Sequence, residues 1–222
     1  MSLLHREPRK MKRDRDGVEL RDTRLFLIAC DDTYAPQQYF EFLKLPRIKI
    51  LVVPTEDSTS TPLPVLKRLE ERAKQLKLDE EDEKWLVLDT DRLIQGAKQK
   101  GLMRAIQQAR QKGIQVALSR PCFELWLLLH HLDETAVPQK GNCGEIEAAL
   151  RAVHGEYNKT HLKEEHYPNG SATEAILRAE RMDLAAGGGD IPATHATRVY
   201  RLMRAIAKKG LPSLVPDELR HV

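Results

Sequence analysis

Trp85-Leu86-Val87-Leu88-Asp89-Thr90-Asp91 is the stretch on which the fold of this chain turns. Four apolar residues in succession, preceded by the acidic residues 79–83, lack the polar alternation of a half-exposed strand. They predict a short strand buried on both faces. Asp89 and Asp91 lie two apart, and on an extended backbone such residues point the same way. Two carboxylates aimed at one point repel each other unless a cation lies between them. A hard divalent ion such as Mg²⁺ takes oxygen ligands and suits that place. Asp is also a common turn residue after a strand, so the spacing alone also fits strand punctuation.

Outward from this run the chain alternates regularly. On its N-terminal side, residues 25–30 (LFLIAC) form a buried-strand run that ends at Asp31-Asp32-Thr33. Residues 36–43 follow with Tyr39, Phe40 and Leu43 as a helical stripe, and 48–53 read as a second buried strand stopped by Pro54. Ser58 to Thr61 offer N-cap residues before Pro62 and Pro64, after which Leu63, Leu66, Leu69, Ala73 and Leu76 recur at helical spacing. On its C-terminal side, 96–112 predict a helix closed by Gly113, 114–118 a fourth strand, and 123–132 an apolar helix. Strands separated by helices of this length indicate βαβ units. The expected fold is therefore α/β, a parallel sheet of about four strands flanked by helices.

From residue 133 onward the pattern is helical, over 146–153, 172–182 and 197–207, with a break at Gly187-Gly188-Gly189 and no buried strand. This divides the chain into a basic N-terminal arm (1–24), an α/β core (25–132) and a helical C-terminal extension packed on the core (133–222). The arm holds eight Lys or Arg against five acids. That suits either a solvated tail or an arm touching phosphates through residues such as Lys12 and Arg13.

Composition restricts the class. At 222 residues, 41% hydrophobic and 31% charged, the chain can bury a full core. Its net charge of +3 is the difference between 36 basic and 33 acidic residues, too small to argue nucleic-acid binding unless the charge is clustered. Cys30, Cys122 and Cys143 share no metal or redox spacing, which favours a reduced compartment over a disulfide scaffold. The first residues lack an apolar signal core, and the run 125–129 is far too short to cross a bilayer. A cytoplasmic protein with no membrane partner is expected.

In an open parallel sheet, functional groups gather at the carboxyl ends of the strands. The first strand ends in Asp31 and Asp32, the third in Asp89 and Asp91, and the fourth in Ser119-Arg120-Pro121. If the first and third strands are neighbours, three carboxylates share one edge, which is costly without a divalent ion. Strand register decides which of Asp31 and Asp32 faces inward. Glu124 falls in the first turn of the next helix, where the dipole favours an acid, and is a fourth candidate carboxylate. Arg92 and Arg120 are candidates to hold phosphate oxygens.

Asp31 to Phe40, Trp85 to Asp91 and the run SRPCFELWLLLH at 119–130 together resemble the RloB family, whose core is a Toprim-type nuclease domain. The Ser58–Pro62 turn and the late ATHATRV segment at 193–199 share that likeness, which spans roughly residues 24–207. The resemblance implies an acidic centre built from a Glu after the first strand and an Asp-x-Asp after the third, together holding Mg²⁺ or Mn²⁺. Asp89 and Asp91 match the second element. At the first, the family's Glu-Gly pair falls on Asp31-Asp32, one methylene shorter, or about 1.5 Å less reach. Its Thr-Glu falls on Ala35-Pro36, and the Asn that often follows the Ser of the third motif is Arg120. The resemblance implies a metal-dependent nuclease acting on DNA or RNA, including tRNA, in prokaryotic anti-phage defence beside an ATPase partner. Asp31, Asp89, Asp91 and Glu124 would be its catalytic groups, and Asp31, Asp32, Asp89 and Asp91 its metal ligands. A homo-oligomer is compatible with duplex cutting. The same residues also suit a non-catalytic module that binds nucleic acid or docks on the ATPase, or a Mg²⁺-dependent phosphotransfer protein.

Other histidine motifs have structural explanations. His161 and His166 are five apart, about 140° around a helix, and so share no face for zinc. His130 and His131 close an apolar helix, where the dipole favours a cation.

Overall fold

The computed structural model describes residues 23–209 apart from 33, 56–59, 92 and 95. Five strands form one sheet: β1 (Arg24–Cys30), β2 (Ile48–Val53), β3 (Glu83–Asp89), β4 (Gln115–Arg120) and β5 (Ala196–Thr197). Their order across the sheet is β2-β1-β3-β4-β5, parallel except for the antiparallel β5. The seven α-helices among the described residues are α1 (Ala35–Phe42), α2 (Pro62–Gln75), α3 (Gly96–Gln111), α4 (Glu124–Leu129), α5 (Cys143–His154), α6 (Asn169–Ala185) and α7 (Val199–Lys209).

Strand alternation divides the core into two layers. Phe26, Ile28, Trp85 and Val87 face α1, α4, α6 and α7 on one side. Leu27, Ala29, Leu86 and Leu88 face Leu66 and Leu69 of α2 and Leu102 and Ile106 of α3 on the other. Both faces of the central strands are covered, which is why these strands read as unbroken apolar runs. Pro62 occupies the first turn of α2, and Thr61 is its N-cap residue without a side-chain cap bond. Gly113 takes φ 64° after α3, a left-handed position that favours glycine.

Three features differ from the sequence expectation. A fifth strand lies beyond residue 132; with two residues it is too short for periodicity to register. It is held by backbone pairing to β4 and by a buried hydrogen bond of 2.8 Å between Ser119 Oγ and Thr197 Oγ1. The fifth helix begins three residues early, at Cys143, because Asn142 and Glu145 form a capping box. His130 is no dipole-stabilised cation. Its ring is buried among Tyr39, Trp126 and Tyr167, and burial, with His131 and Arg178 nearby, lowers its pKa to about 3. No helix among the described residues is long and apolar enough to cross a membrane.

Candidate acidic centre

β1 and β3 are neighbours at the middle of the sheet, so the acids that follow them meet at its carboxyl edge. Asp31 follows β1 and uses its carboxylate to continue the ladder that the strand's backbone has left. Its Oδ2 accepts the main-chain N–H of Asp89 at 3.0 Å, and its Oδ1 accepts that of Asp32 at 3.0 Å. Asp89 closes β3 opposite Ser119 of β4 and has the same strand parity as Trp85 and Val87, toward the layer that contains α4. There Glu124, the first residue of α4, is buried and accepts a hydrogen bond from the Tyr157 hydroxyl at 3.0 Å.

These groups line one cavity of about 330 Å³ with Asp32, Asp91, Cys122, Cys143, Glu147 and Lys159. Its electrostatics are adverse to so many anions. Burial, followed among the upward influences by the charge of Asp32, pushes Asp31 up to about 7. Burial and the charges of Asp31 and Glu124 raise Asp89 as well. Glu124 is raised by burial and then by Asp32. Among the described residues that line the cavity, one cation offsets this. Lys159 Nζ lies 3.8 Å from Asp32 Oδ2, and although burial disfavours the ammonium, the surrounding acids outweigh it and raise its pKa.

The register question is answered by these contacts. Asp31 is the residue turned toward β3, while Asp32 sits at the rim, caps the Tyr34 N–H at 2.9 Å and faces Lys159. Asp91 lies past the strand in a turn secured by its own N–H donating to Pro121 O at 3.1 Å. It is exposed and still borders the cavity. Arg120 is placed elsewhere: its guanidinium donates to Pro192 O at 2.7 Å and lines a separate cleft, which it shares with Asp91 and His195. Arg92, Lys12 and Arg13 lie outside the described residues.

An all-oxygen set of carboxylates whose ionised forms destabilise one another is the donor chemistry that a hard divalent cation satisfies. Among the described residues no three His, Cys, Asp or Glu side chains already converge tightly enough to hold an ion. A cation would therefore have to draw Asp31, Asp89 and Asp91 together. Sequence reasoning missed the wall opposite these acids, made by Cys143 and Glu147 of α5 and by Tyr157 and Lys159. Tyr157 and Lys159 belong to a polar segment whose composition is that of any surface loop, and only the chain's return across the sheet edge carries them to the cavity.

The fold and site define an α/β protein with an acidic centre at the carboxyl edge of a mostly parallel sheet. The family model described as RloB-like protein matches residues 26–206, and the chain belongs to that family. Comparison with curated proteins and with solved structures returned no match.

Proposed function

We propose that this chain is a divalent-metal-dependent nuclease of Toprim type. The observation that carries the reading is the meeting of Asp31, Asp89 and Glu124 in one cavity, each from a separate element and each with its anion disfavoured. Asp31, Asp89 and Asp91, with Asp32 at the rim, are the residues that would hold Mg²⁺ or Mn²⁺. Once bound, such an ion stabilises charge on a phosphodiester and its leaving oxygen. Asp31, whose carboxylate is oriented by the Asp89 and Asp32 N–H groups, would serve either as a ligand of that ion or, off it, as a base toward an attacking water. Tyr157 fixes the Glu124 carboxyl by donating to Oε1, and Lys159 offers an ammonium to a phosphate oxygen at the cavity mouth. Membership of the RloB-like family supports a setting in prokaryotic anti-phage defence beside an ATPase, with DNA or RNA, including tRNA, as substrate.

A non-catalytic role is the second reading, favoured by the short Asp31 side chain and by carboxylates that do not converge unaided. One experiment separates the two. The purified chain is incubated with DNA and RNA in Mg²⁺ or Mn²⁺, with and without a candidate partner ATPase. Strand scission abolished by Asp89→Ala supports the nuclease. Scission that survives both Asp89→Ala and Asp91→Ala, no scission under any condition, or nucleotide hydrolysis without scission overturns it.

A further inference from the structure

The residues of α3 include four bases and no acid. Their arrangement is one-sided. Leu102, Ala105, Ile106 and Ala109 are buried against the sheet layer that α3 shares with α2. Lys100, Arg104, Gln107 and Gln111 follow at i, i+4, i+7 and i+11, so they form one outward ridge about 16 Å long. Arg110 is paired with Asp190 and Lys112 with Glu70, but among the described residues Lys100 and Arg104 have no acidic partner. On α7, by contrast, Arg201, Arg204 and Lys209 are each tied to an acid. The ridge borders a groove of about 950 Å³ between α3 and Asp190, whose only acid among the lining residues is the one that Arg110 neutralises. Because α3 follows Asp89–Asp91 and returns antiparallel to β3, Lys100 lies at the end of the ridge nearer the acidic centre.

We propose that this ridge is a docking surface for double-stranded DNA, with Lys100 and Arg104 on phosphates and Gln107 and Gln111 beside them. Two cations without an acidic partner among the described residues, flanked by outward amides, are complementary to a polyanion, and 16 Å is about five base-pair steps along the axis of a duplex. The surface offers no aromatic ring on which unpaired bases could stack, which disfavours a single strand. Outward amides reach base edges only where a helix can approach them, in the wide B-form major groove and not the narrow A-form one. The choice of partner rests on the nuclease reading, but the surface acts in binding and needs no cleavage.

Binding is measured by fluorescence anisotropy on the full chain carrying Asp89→Asn, with a 30-base-pair DNA duplex, the equivalent RNA duplex and single-stranded DNA. Adding Lys100→Glu and Arg104→Glu should weaken duplex DNA binding tenfold or more at about 0.1 M salt and lower the salt slope by about two. The milder Lys100→Gln with Arg104→Gln, which leaves α3 intact by circular dichroism, should give a smaller loss in the same direction. Lys49→Glu with Lys77→Glu, exposed lysines off α3, changes the net charge equally and should cost much less. Equal losses from the ridge and control pairs, tighter binding of RNA duplex or single strand, or no binding at all would overturn the surface. Failure of scission in the nuclease assay with DNA binding intact would overturn the nuclease reading and leave the surface standing.

Discussion

The main-chain N–H of Asp89 donates to a carboxylate oxygen of Asp31 at 3.0 Å, across the two central strands and at their shared end. One acid of the centre thus positions the other, and neither can be altered in isolation. Asp31→Asn keeps an acceptor for the Asp89 N–H, gives up the one for the Asp32 N–H at the rim, and removes the charge. Asp31 titrates near 7 in the folded chain and near 3.8 when free, so the native state binds more protons between those values. Its contribution to stability therefore falls as pH rises through that window. Asp31→Asn should melt at or above the wild-type temperature at pH 8 without metal, while scission falls at least a hundredfold. A variant that melts lower yet still cuts would place the chemistry elsewhere.

Divalent ions should stabilise the chain. With Asp31, Asp89 and Glu124 mutually destabilised, a cation binding the native state alone raises the melting temperature by mass action. At a hundred times the dissociation constant the shift should be on the order of 5 °C for a chain of this size. Thermal melts with Mg²⁺ and Mn²⁺ check this, and Asp89→Asn should lose most of the shift. An equal shift in both proteins would mean that the ion binds away from the centre.

Lys159 should matter to substrate more than to the chemical step. Its ammonium borders the cavity 3.8 Å from Asp32 and is the cation among the described lining residues. Lys159→Ala should raise KM roughly tenfold, the worth of one charge contact of about 1.4 kcal/mol, with kcat changed far less. Lys159→Arg should restore most of the loss. A fall in kcat with unchanged KM would instead make Lys159 part of the reacting constellation.

The extent to which this centre was legible follows from what each part depends on. Leu86, Leu88 and the other strand residues announce themselves because burial on both faces leaves unbroken apolar runs, and β2 falls on the expected residues 48–53. Asp89 is found by its place at a strand end, but Asp91 shares the cavity through a turn after the strand, not through the two-residue period. The choice between Asp31 and Asp32 needs register, which only the pairing of β1 with β3 supplies. Arg120 fits a phosphate by type and position, yet its bond to Pro192 O takes it to another cleft. Tyr157 and Glu124 are 33 residues apart, and β5 is two residues long; contacts of that kind leave no local period to detect.

The histidines predict a loss of stability in mild acid. His130 is lowered to about 3 by burial and His154 to about 4 by burial with His131 and His166, against an ordinary value of 6.5. The His154 and His166 rings stack at 3.9 Å and His131 meets His154 at 4.4 Å, so protonation places like charges in contact. At these rings the unfolded chain binds more protons below pH 6.5, and their contribution to stability is lost as pH falls from there toward 4. Asp31, Asp89 and Glu124, whose pKa values are raised, act in the opposite sense over this window, so the histidine part is read by difference. Between pH 7 and pH 5 the urea midpoint of the wild type should fall relative to that of His154→Gln, the two being close at pH 7. A difference that does not change with pH would mean that His154 titrates alike in the folded and the unfolded chain.

Asp183 should be among the most destabilising positions to change. It sits buried on α6, where Arg198 Nε donates to Oδ1 at 2.9 Å, and Tyr200 Oη and Arg201 Nη2 donate to Oδ2 at 3.0 and 2.6 Å. Burial alone would raise this carboxyl, but the bonds and charge of Arg198, with Tyr200 and Arg201, outweigh it and hold the pKa low. Its contribution is present above its ordinary value near 3.8 and lost as pH falls below it. The group also ties α6 to the Arg198 backbone, whose N–H donates to Leu118 O of β4 at 2.8 Å. Asp183→Ala strands the buried Arg198 charge and should cost about 3–5 kcal/mol, with a melting point lower by on the order of 10 °C. The exposed Arg181–Glu134 pair, also held by hydrogen bonds, should by contrast hardly move the melt when Glu134 is replaced by Ala. Adding Arg198→Met to Asp183→Ala removes the stranded charge and should recover part of the loss. If the double variant melts lower than Asp183→Ala alone, the cost lies in packing and not in an uncompensated charge.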